Sequence, residues 1–286
     1  MSTHSLDDFA ASKLRSLERR QLKRELSVTR SDSGGRVAHA DTQLISFASN
    51  DYLGLAKDPA LIAASVKATE SFGVGAGASR LITGNHPLYS PLERKLAETK
   101  GTDAAVVFGS GYLTNIGVIP LFTGAADLLL IDELSHSCIL AGARLSGAQV
   151  HHFEHNDVAA VLRLLEQHRR DYRHCLIVTD GVFSMEGDLA ALPDLASLAE
   201  QHDAWLMSDD AHGLGVVGGG RGSSFAHANP VDVPLQMGTL SKAVGAYGGY
   251  LCASEPVIEL VRNRARSFVY STGLPPGTVA GGRPVE

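Results

Sequence analysis

The sequence predicts an α/β fold built on a mainly parallel sheet with helices on both faces. Three observations carry this. From residue 104 onward, short apolar β-like runs alternate with stretches of helical period, joined by short turns. The chain has 286 residues and 44% hydrophobic content, enough for one large α/β domain with a sizeable core. The residues best suited to chemistry stand just after the strand-like runs, where ligands gather in open α/β sheets.

Taken in order, Phe9, Leu14, Leu17, Leu22 and Leu26 form an approximate helical stripe with charges between, which predicts an amphipathic helix over 8–26. Ser27 to Asp41 is polar and contains Gly34-Gly35, a loop or hairpin. Leu44 to Ala48 reads as a short strand leading into Asn50-Asp51-Tyr52-Leu53-Gly54. Pro59 to Phe72 reads as a helix with proline near its start, Gly73 to Gly77 as a flexible loop, and Pro91 to Lys100 as a helix. Strands are expected at 104–108, 127–131, 149–153, 175–179, 205–208, 233–237 and 249–253. Helices are expected at 114–121, 137–146, 157–169, 194–202 and 256–266. The stretch from Gly273 to Glu286 is rich in Gly and Pro and shows no terminating element. The chain therefore divides into an N-terminal helix and loop segment (1–43), a large ligand-binding domain (44–272) and a tail (273–286).

A formal charge of −6 argues against a nucleic-acid partner. The charge is uneven: residues 1–40 hold 8 Lys+Arg and 5 Asp+Glu, a net of +3 that leaves −9 for the remainder. A basic N-terminal helix could face a polyanionic substrate such as a coenzyme A thioester, although a solvated helix face is the simpler reading. Cys138, Cys175 and Cys252 are scattered and form no CxxC pair, which suits core thiols in a reducing compartment. Met1 to Ala10 lacks the features of a signal peptide, and no apolar stretch reaches the length of a membrane span. A soluble, cytoplasmic protein without a membrane partner is expected.

The chemistry centres on Lys242, in Gly238-Thr239-Leu240-Ser241-Lys242, after the apolar run Val231 to Met237. Asp209-Asp210-Ala211-His212 follows another such run. A strand-end lysine, a strand-end carboxylate and a histidine three residues beyond it suit a Schiff-base site. The amine can form an imine with a cofactor aldehyde, and the carboxylate can hold a pyridine nitrogen protonated. Pyridoxal phosphate (PLP) is the cofactor that needs these groups. Phe108-Gly109-Ser110-Gly111-Tyr112 opens a helical pattern after a strand, a plausible cradle for the cofactor phosphate. His136 could stack on the ring, and Ser184 places a hydroxyl near a strand end.

Other readings fare worse. Gly73 to Ala78 fits GxGxxA formally but follows a helical pattern instead of a strand. No GxxxxGK[ST] or GxSxG occurs. His151, His152 and His155 resemble metal ligands by count, with His151 and His155 on one strand face, but no third ligand is evident; a solvated strand end is the better reading. Arg221, in a glycine-rich turn, could touch an anion or lie on a surface turn.

Together these segments resemble the α-oxoamine synthases, a branch of the fold-type-I PLP-dependent transferases, from about residue 5 to residue 280. The resemblance rests on Phe47 to Leu55, Thr179 to Asp188, Asp209 to Gly213, Thr239 to Lys242 and Tyr270 to Pro276. It implies the large domain of that fold, followed in the family by a C-terminal small domain whose arginine clamps the amino-acid carboxylate. The sequence stops at Glu286, before that domain, so a non-catalytic PLP-binding fragment is the competing expectation. The resemblance gives Lys242 the cofactor and the Cα proton, and Asp209 the ring nitrogen. His212 goes to the ring hydroxyl oxygen, and His136 to the ring face. Gly111, Tyr112 and Thr239 hold the phosphate, and Ser184 the ring, with Asn50 close by. Arg24, or a basic neighbour, would meet the acyl carboxylate. Thr272 would reach the phosphate in the partner subunit's site, which implies a homodimer with shared active sites. The loop Gly77 to Gly84 is most similar to members that join L-alanine to a pimeloyl thioester; members using glycine or serine are the alternative.

Overall fold

The apolar runs of the second half of the chain lie side by side in one seven-stranded sheet. The computed structural model describes residues 4–32, 34–39 and 42–282, in two compact units, Met1–Ala48 and Ser49–Glu286.

The first unit holds α1 (Ser5–Arg19) and an antiparallel sheet of β1 (Thr29–Ser31), β2 (Arg36–His39) and β3 (Thr42–Ile45), in the order β1-β2-β3. Asp7 and Asp8 in the first turn of α1, and Arg19 in the last, complement the helix dipole. The helix stops at Arg19 instead of reaching residue 26. Gln21 adopts a left-handed conformation (φ 56°), and the N–H groups of Arg20, Gln21 and Leu22 turn back to the carbonyls of Ser16, Glu18 and Leu17. These bonds satisfy the terminal carbonyls, so the helix has no need of a further turn. Leu22 and Leu26 keep the helical spacing but lie outside any helix. The strand expected over 44–48 is β3, which starts at Thr42 and pairs with β2 in this small sheet.

The second unit opens on α2 (Pro59–Phe72), capped by Asp58, whose carboxylate accepts from Ala60 and Leu61 N–H at 2.8 and 3.2 Å. There follow α3 (Tyr89–Lys100), β4 (Ala104–Phe108), α4 (Gly111–Phe122), β5 (Leu128–Asp132), α5 (Ser137–Ser146), β6 (Gln149–Phe153), α6 (Val158–His168), β7 (Cys175–Asp180) and α7 (Leu192–Gln201). The order ends with β8 (Trp205–Asp209), β9 (Leu235–Thr239), β10 (Gly249–Ala253), α8 (Glu255–Arg264), α9 (Arg266–Val269) and α10 (Pro276–Gly281). The strand order is β4-β10-β9-β8-β7-β5-β6. β6, β5, β7, β8 and β9 run parallel, while β10 is antiparallel to both its neighbours.

Every residue of β4, β5, β7, β9 and β10 is buried, as expected of a sheet covered on both faces. Alternate residues of β5 feed opposite cores. Leu129 and Ile131 pack with residues of α4, α5 and α8; Leu128 and Leu130 pack with residues of α6 and α7.

Beyond shifts of a few residues at element ends, three differences from expectation have a local cause. β9 begins at Leu235 instead of 233, because Pro234 has no N–H for the ladder. The helix expected over 256–266 breaks at Ala265, which is extended, into α8 and α9. The tail does contain a terminating element, α10. Pro276 starts it, and Gly277 lets it press on α2: a Cβ there would lie 2.6 Å from Thr69 Oγ1 and 2.8 Å from Ser65 Oγ. Residues 283–286 of the expected tail lie outside the described residues.

A buried ion pair ties α3 to the end of β8. Lys100 Nζ donates to Asp210 Oδ2 at 2.6 Å and to the Arg221 carbonyl at 2.9 Å, and both charged side chains are 1% exposed. Ser223 N–H donates to the same carboxylate at 3.0 and 3.1 Å. Arg221 stacks on Phe225, 3.6 Å from the ring centroid, and donates from Nε to the Thr99 carbonyl; its role here is packing. Among the described residues no helix is long and apolar enough to cross a membrane.

Candidate active site

The carboxyl ends of β5, β7, β8 and β9, with the N-terminus of α4, bring most of the expected residues together. β8 ends on Asp209 and β7 on Asp180, directly opposite each other in the parallel ladder. His212 lies on the turn after β8, and Lys242 just beyond β9. Lys242 Nζ is 2.6 Å from His212 Nε2. The other ring nitrogen, Nδ1, is 2.7 Å from the Tyr52 hydroxyl, which also reaches Asn50 Oδ1 at 3.2 Å. Asn50 therefore joins the cluster through Tyr52.

Asp209 is buried and accepts from Asn115 Nδ2 at 2.7 Å and from Ala211 N–H at 3.0 Å. Burial pushes its pKa up; those hydrogen bonds, then the charges of Lys242 and His136, oppose it. Asp180 is pushed up to about 8, first by burial and then by Asp209, against the His136 N–H bond at 2.9 Å. Two carboxylates side by side in a dry site favour retention of a proton, or a cation between them. Burial also lowers the pKa of Lys242, while Asp209, Asp180 and Cys138 pull it back up. His212 falls to about 4, through burial and then the neighbouring Lys242 and His136, so its imidazole is neutral near pH 7.

His136 caps α5, and its ring is exposed. Its Nδ1 lies 2.8 Å from Cys138 Sγ, and that sulfur accepts from Asn115 Nδ2 at 3.0 Å. Burial, reinforced by Asp209, pushes the Cys138 pKa up to about 12, so it is a thiol at neutral pH. Asn115 Oδ1 is buried and has no hydrogen-bond partner among the described residues.

Ser110 caps α4, and its hydroxyl takes the Leu113 N–H at 3.2 Å. Gly111 and Tyr112 N–H, in the first turn, have no intrahelical acceptor. A Cβ on Gly111 would lie 3.0 Å from Met237 Cε, the end of a flexible side chain, and 3.8 Å from Thr239 Oγ1, so this backbone runs close beside β9. Thr239 Oγ1 donates to the Gly248 carbonyl at 2.6 Å and accepts from Ser241 N–H at 3.1 Å, fixing the turn that carries Lys242.

Ser184 is exposed on the turn after β7 and lacks a side-chain partner among the described residues. That turn is pinned by His155, which lies beyond β6 instead of on it. Its Nδ1 faces Asp132 Oδ1 at 3.1 Å and its Nε2 faces Asp188 Oδ2 at 3.0 Å. The solvated strand end is thus corrected to an ion-paired clamp, and His151 instead stacks on His168 at 4.3 Å. Among the described residues no group of three His, Cys, Asp or Glu side chains could hold a metal. Burial works against protonation of His155, but the hydrogen bonds and charges of Asp132 and Asp188 outweigh it, so its pKa is raised. A raised histidine stabilises the fold fully below its unfolded value of about 6.5, and that contribution fades as pH rises through the folded pKa. Amide exchange over 183–190 should therefore accelerate as the pH is raised past that point, beyond its intrinsic pH dependence, and His155→Gln should remove the excess. An excess equal in both proteins would refute the clamp.

Two expected residues remain, Thr272 and Arg24. Thr272 is exposed and bridges to Ser79; among the described residues of the chain it makes no contact with the Lys242 cluster. Arg24 belongs to the first unit and lies past the end of α1, so it has no helix face from which to act. The sequence reading assigned no role to Tyr52, Asn115, Cys138 or Asp180. Asp180 was accessible as a second strand-end carboxylate, whereas Tyr52 and His212 are 160 residues apart and carry no local signal of their contact.

The profile of the aminotransferase class I and II family matches residues 42–284. The 8-amino-7-oxononanoate synthase of Granulibacter bethesdensis is 59% identical over 276 residues, 96% of this chain and 71% of that protein. That of Beijerinckia indica is 58% identical over 277 residues, covering 97% and 72%. The chain thus spans about seven-tenths of the length of these relatives. Among solved structures, a serine palmitoyltransferase from S. paucimobilis with bound PLP–myriocin aldimine superposes with a TM-score of 0.89 at 29% identity, covering 99% of this chain and 71% of that one. An 8-amino-7-oxononanoate synthase from Francisella tularensis gives 0.69 at 25% identity, covering 82% and 66%. The length of the match and its level of identity place the chain in the aminotransferase class I and II family, beside the relatives named 8-amino-7-oxononanoate synthase.

Proposed function

We propose that the chain is a PLP-dependent acyltransferase that condenses L-alanine with a pimeloyl thioester, carried on coenzyme A or an acyl carrier protein, to give 8-amino-7-oxononanoate for biotin biosynthesis. The observation that carries this is the convergence of Lys242, His212 and the buried Asp209 at adjacent strand ends, in a chain nearly 60% identical to relatives of that name.

The residues fit the cofactor. Asp209 is a buried carboxylate with a raised pKa, and a cationic ring nitrogen would relieve it. The acceptor Oδ1 of Asn115, whose amide nitrogen bonds Asp209, lacks a donor. Gly111 and Tyr112 offer free N–H groups at the positive end of α4, where a phosphate is stabilised.

PLP, when bound, supplies an aldehyde for amine capture and a ring that accepts negative charge from the amino-acid Cα. Lys242 holds the cofactor and takes the Cα proton on Nζ. Asp209 keeps the proton on the ring nitrogen. His212 hydrogen-bonds the ring hydroxyl oxygen, His136 covers the ring face, and Ser184 helps to fix the ring. Gly111, Tyr112 and Thr239 bind the phosphate, with Asn50 nearby. Overall, alanine loses its carboxylate as carbon dioxide, the acyl group joins its Cα, and the carrier thiol is released. The working unit is a homodimer, in which Thr272 of one copy serves the site of the other; the exposure of Thr272 supports this.

The test is spectroscopic. Purified chain mixed with PLP should sediment as a dimer and show a visible absorbance band that borohydride abolishes, with the label on Lys242. The band should respond to L-alanine more strongly than to glycine or L-serine. Label on another lysine would refute the cofactor assignment, and a stronger response to glycine or serine would refute the substrate.

A further inference from the structure

The cluster contains an unbroken run of contacts from Lys242 to the protein surface. Lys242 Nζ meets His212 Nε2 at 2.6 Å, His212 Nδ1 meets the Tyr52 oxygen at 2.7 Å, and that hydroxyl meets Asn50 Oδ1 at 3.2 Å. Lys242 is half-buried, whereas Tyr52 is 44% exposed.

The same heavy-atom frame accepts two proton arrangements. In the first, the Lys242 ammonium donates to a bare Nε2, Nδ1–H donates to the Tyr52 oxygen, and the Tyr52 O–H donates to Asn50. In the second, Nε2–H donates to the neutral Lys242 amine, and the Tyr52 O–H donates to Nδ1. They differ by one proton. Passing from first to second, a Lys242 proton moves to Nε2, the Nδ1 proton moves to the Tyr52 oxygen, and the original hydroxyl proton leaves to water. No atom heavier than hydrogen needs to move.

We propose that His212 and Tyr52 form a proton outlet for Lys242, with Tyr52 as the positioning residue that sets the His212 tautomer to match the charge of the amine. The use of a neutral amine at Lys242 rests on the function proposed above; the outlet itself belongs to the chain alone. Two electrostatic facts suit the arrangement. His212, with its pKa near 4, relays by exchanging tautomers without holding a charge, and burial raises the Tyr52 pKa, which keeps its hydroxyl protonated. The other groups facing the run set where it titrates but offer no exit. Asp209 from β8 and Asp180 from β7 are buried acids, Cys138 is a buried thiol, and His136 at the start of α5 contributes only its charge.

The test uses the chain free of PLP, labelled with 15N-histidine and 13C-lysine. His212→Gln and Lys242→Ala identify the two resonances. As the pH is raised, the His212 proton should shift from Nδ1 to Nε2 with the same midpoint as the Lys242 titration. In Tyr52→Phe the two events should separate. Capture of formaldehyde by Lys242 in the presence of cyanoborohydride should also slow on the order of 100-fold near neutral pH, the lower end of the scale of a lost proton-transfer partner. A His212 tautomer that stays fixed while Lys242 titrates overturns the proposal, as does a Tyr52→Phe protein that still switches with Lys242. The wild-type measurement stands even if a variant folds poorly. None of these readouts involves PLP, so failure of the cofactor assignment would leave them unchanged. A chain that binds PLP on Lys242 but shows a fixed tautomer would overturn the outlet alone.

Discussion

Asp209→Asn lowers condensation of alanine with pimeloyl-CoA on the order of 100-fold or more, while the fold is kept. The carboxylate is buried at the end of β8, and a neutral amide there cannot hold a proton on a ring nitrogen by charge. The local bonding survives the change. The side-chain amide oxygen of the variant still accepts from Ala211 N–H, and a flip of Asn115 would turn its unpartnered Oδ1 toward the new NH2 group. The variant also removes one of two facing carboxylates that burial makes costly, so thermal unfolding should be unchanged or slightly later. Steady-state kinetics and calorimetry check the pair of results. Wild-type turnover in Asp209→Asn would remove Asp209 from the chemistry, and a large fall in Tm would make its role structural.

The largest stability effect is expected at Lys100→Met. Among the described residues it leaves the buried Asp210 carboxylate with the Ser223 N–H as its remaining donor, and breaking a buried pair in this way costs about 3–5 kcal/mol. The double variant Lys100→Met/Asp210→Leu should recover part of the loss, because no unpaired charge remains. Urea denaturation measures both. A single variant within error of wild type would show that water reaches Asp210 and that the pair does not anchor α3 to β8.

The sequence carries the strands of the large sheet and the strand-end chemistry because both are local signals. Lys242, Asp209, His212 and His136 each stand just beyond a strand-like run, and the structure places each at the carboxyl end of a strand. What it hides is pairing at long range. Lys100 reads as an ordinary last-turn lysine, and its partner is 110 residues away. The partners of His155 are 23 and 33 residues distant, so its tally with His151 and His152 suggests a strand end where there is a clamp. At the N-terminus the error has the opposite source. Leu22 and Leu26 keep the helical period, but hydrogen bonds around Gln21 have already closed the helix. Apolar spacing cannot register a cap made by a residue with no turn preference. Arg24, assigned to that helix, lies beyond its end.

The position of β10 bears on the order in which the molecule is made. β4 is an edge strand; among the described residues its ladder partner is β10, which the ribosome delivers only after β5 to β9 have emerged. The parallel block from β6 to β9 can close from chain already synthesised, whereas β4 waits for the strand that inserts between it and β9. Pairing across so long a separation is slow and leaves an open backbone edge in the interval. The N-terminus of α4 follows directly from β4, so it is set against Thr239 only at that late step. A nascent chain can thus hold Asp209 and Lys242 in place before the N-terminus of α4 is set beside Thr239. The vulnerable interval for proteolysis or aggregation falls before β10, residues 249–253, has left the exit tunnel.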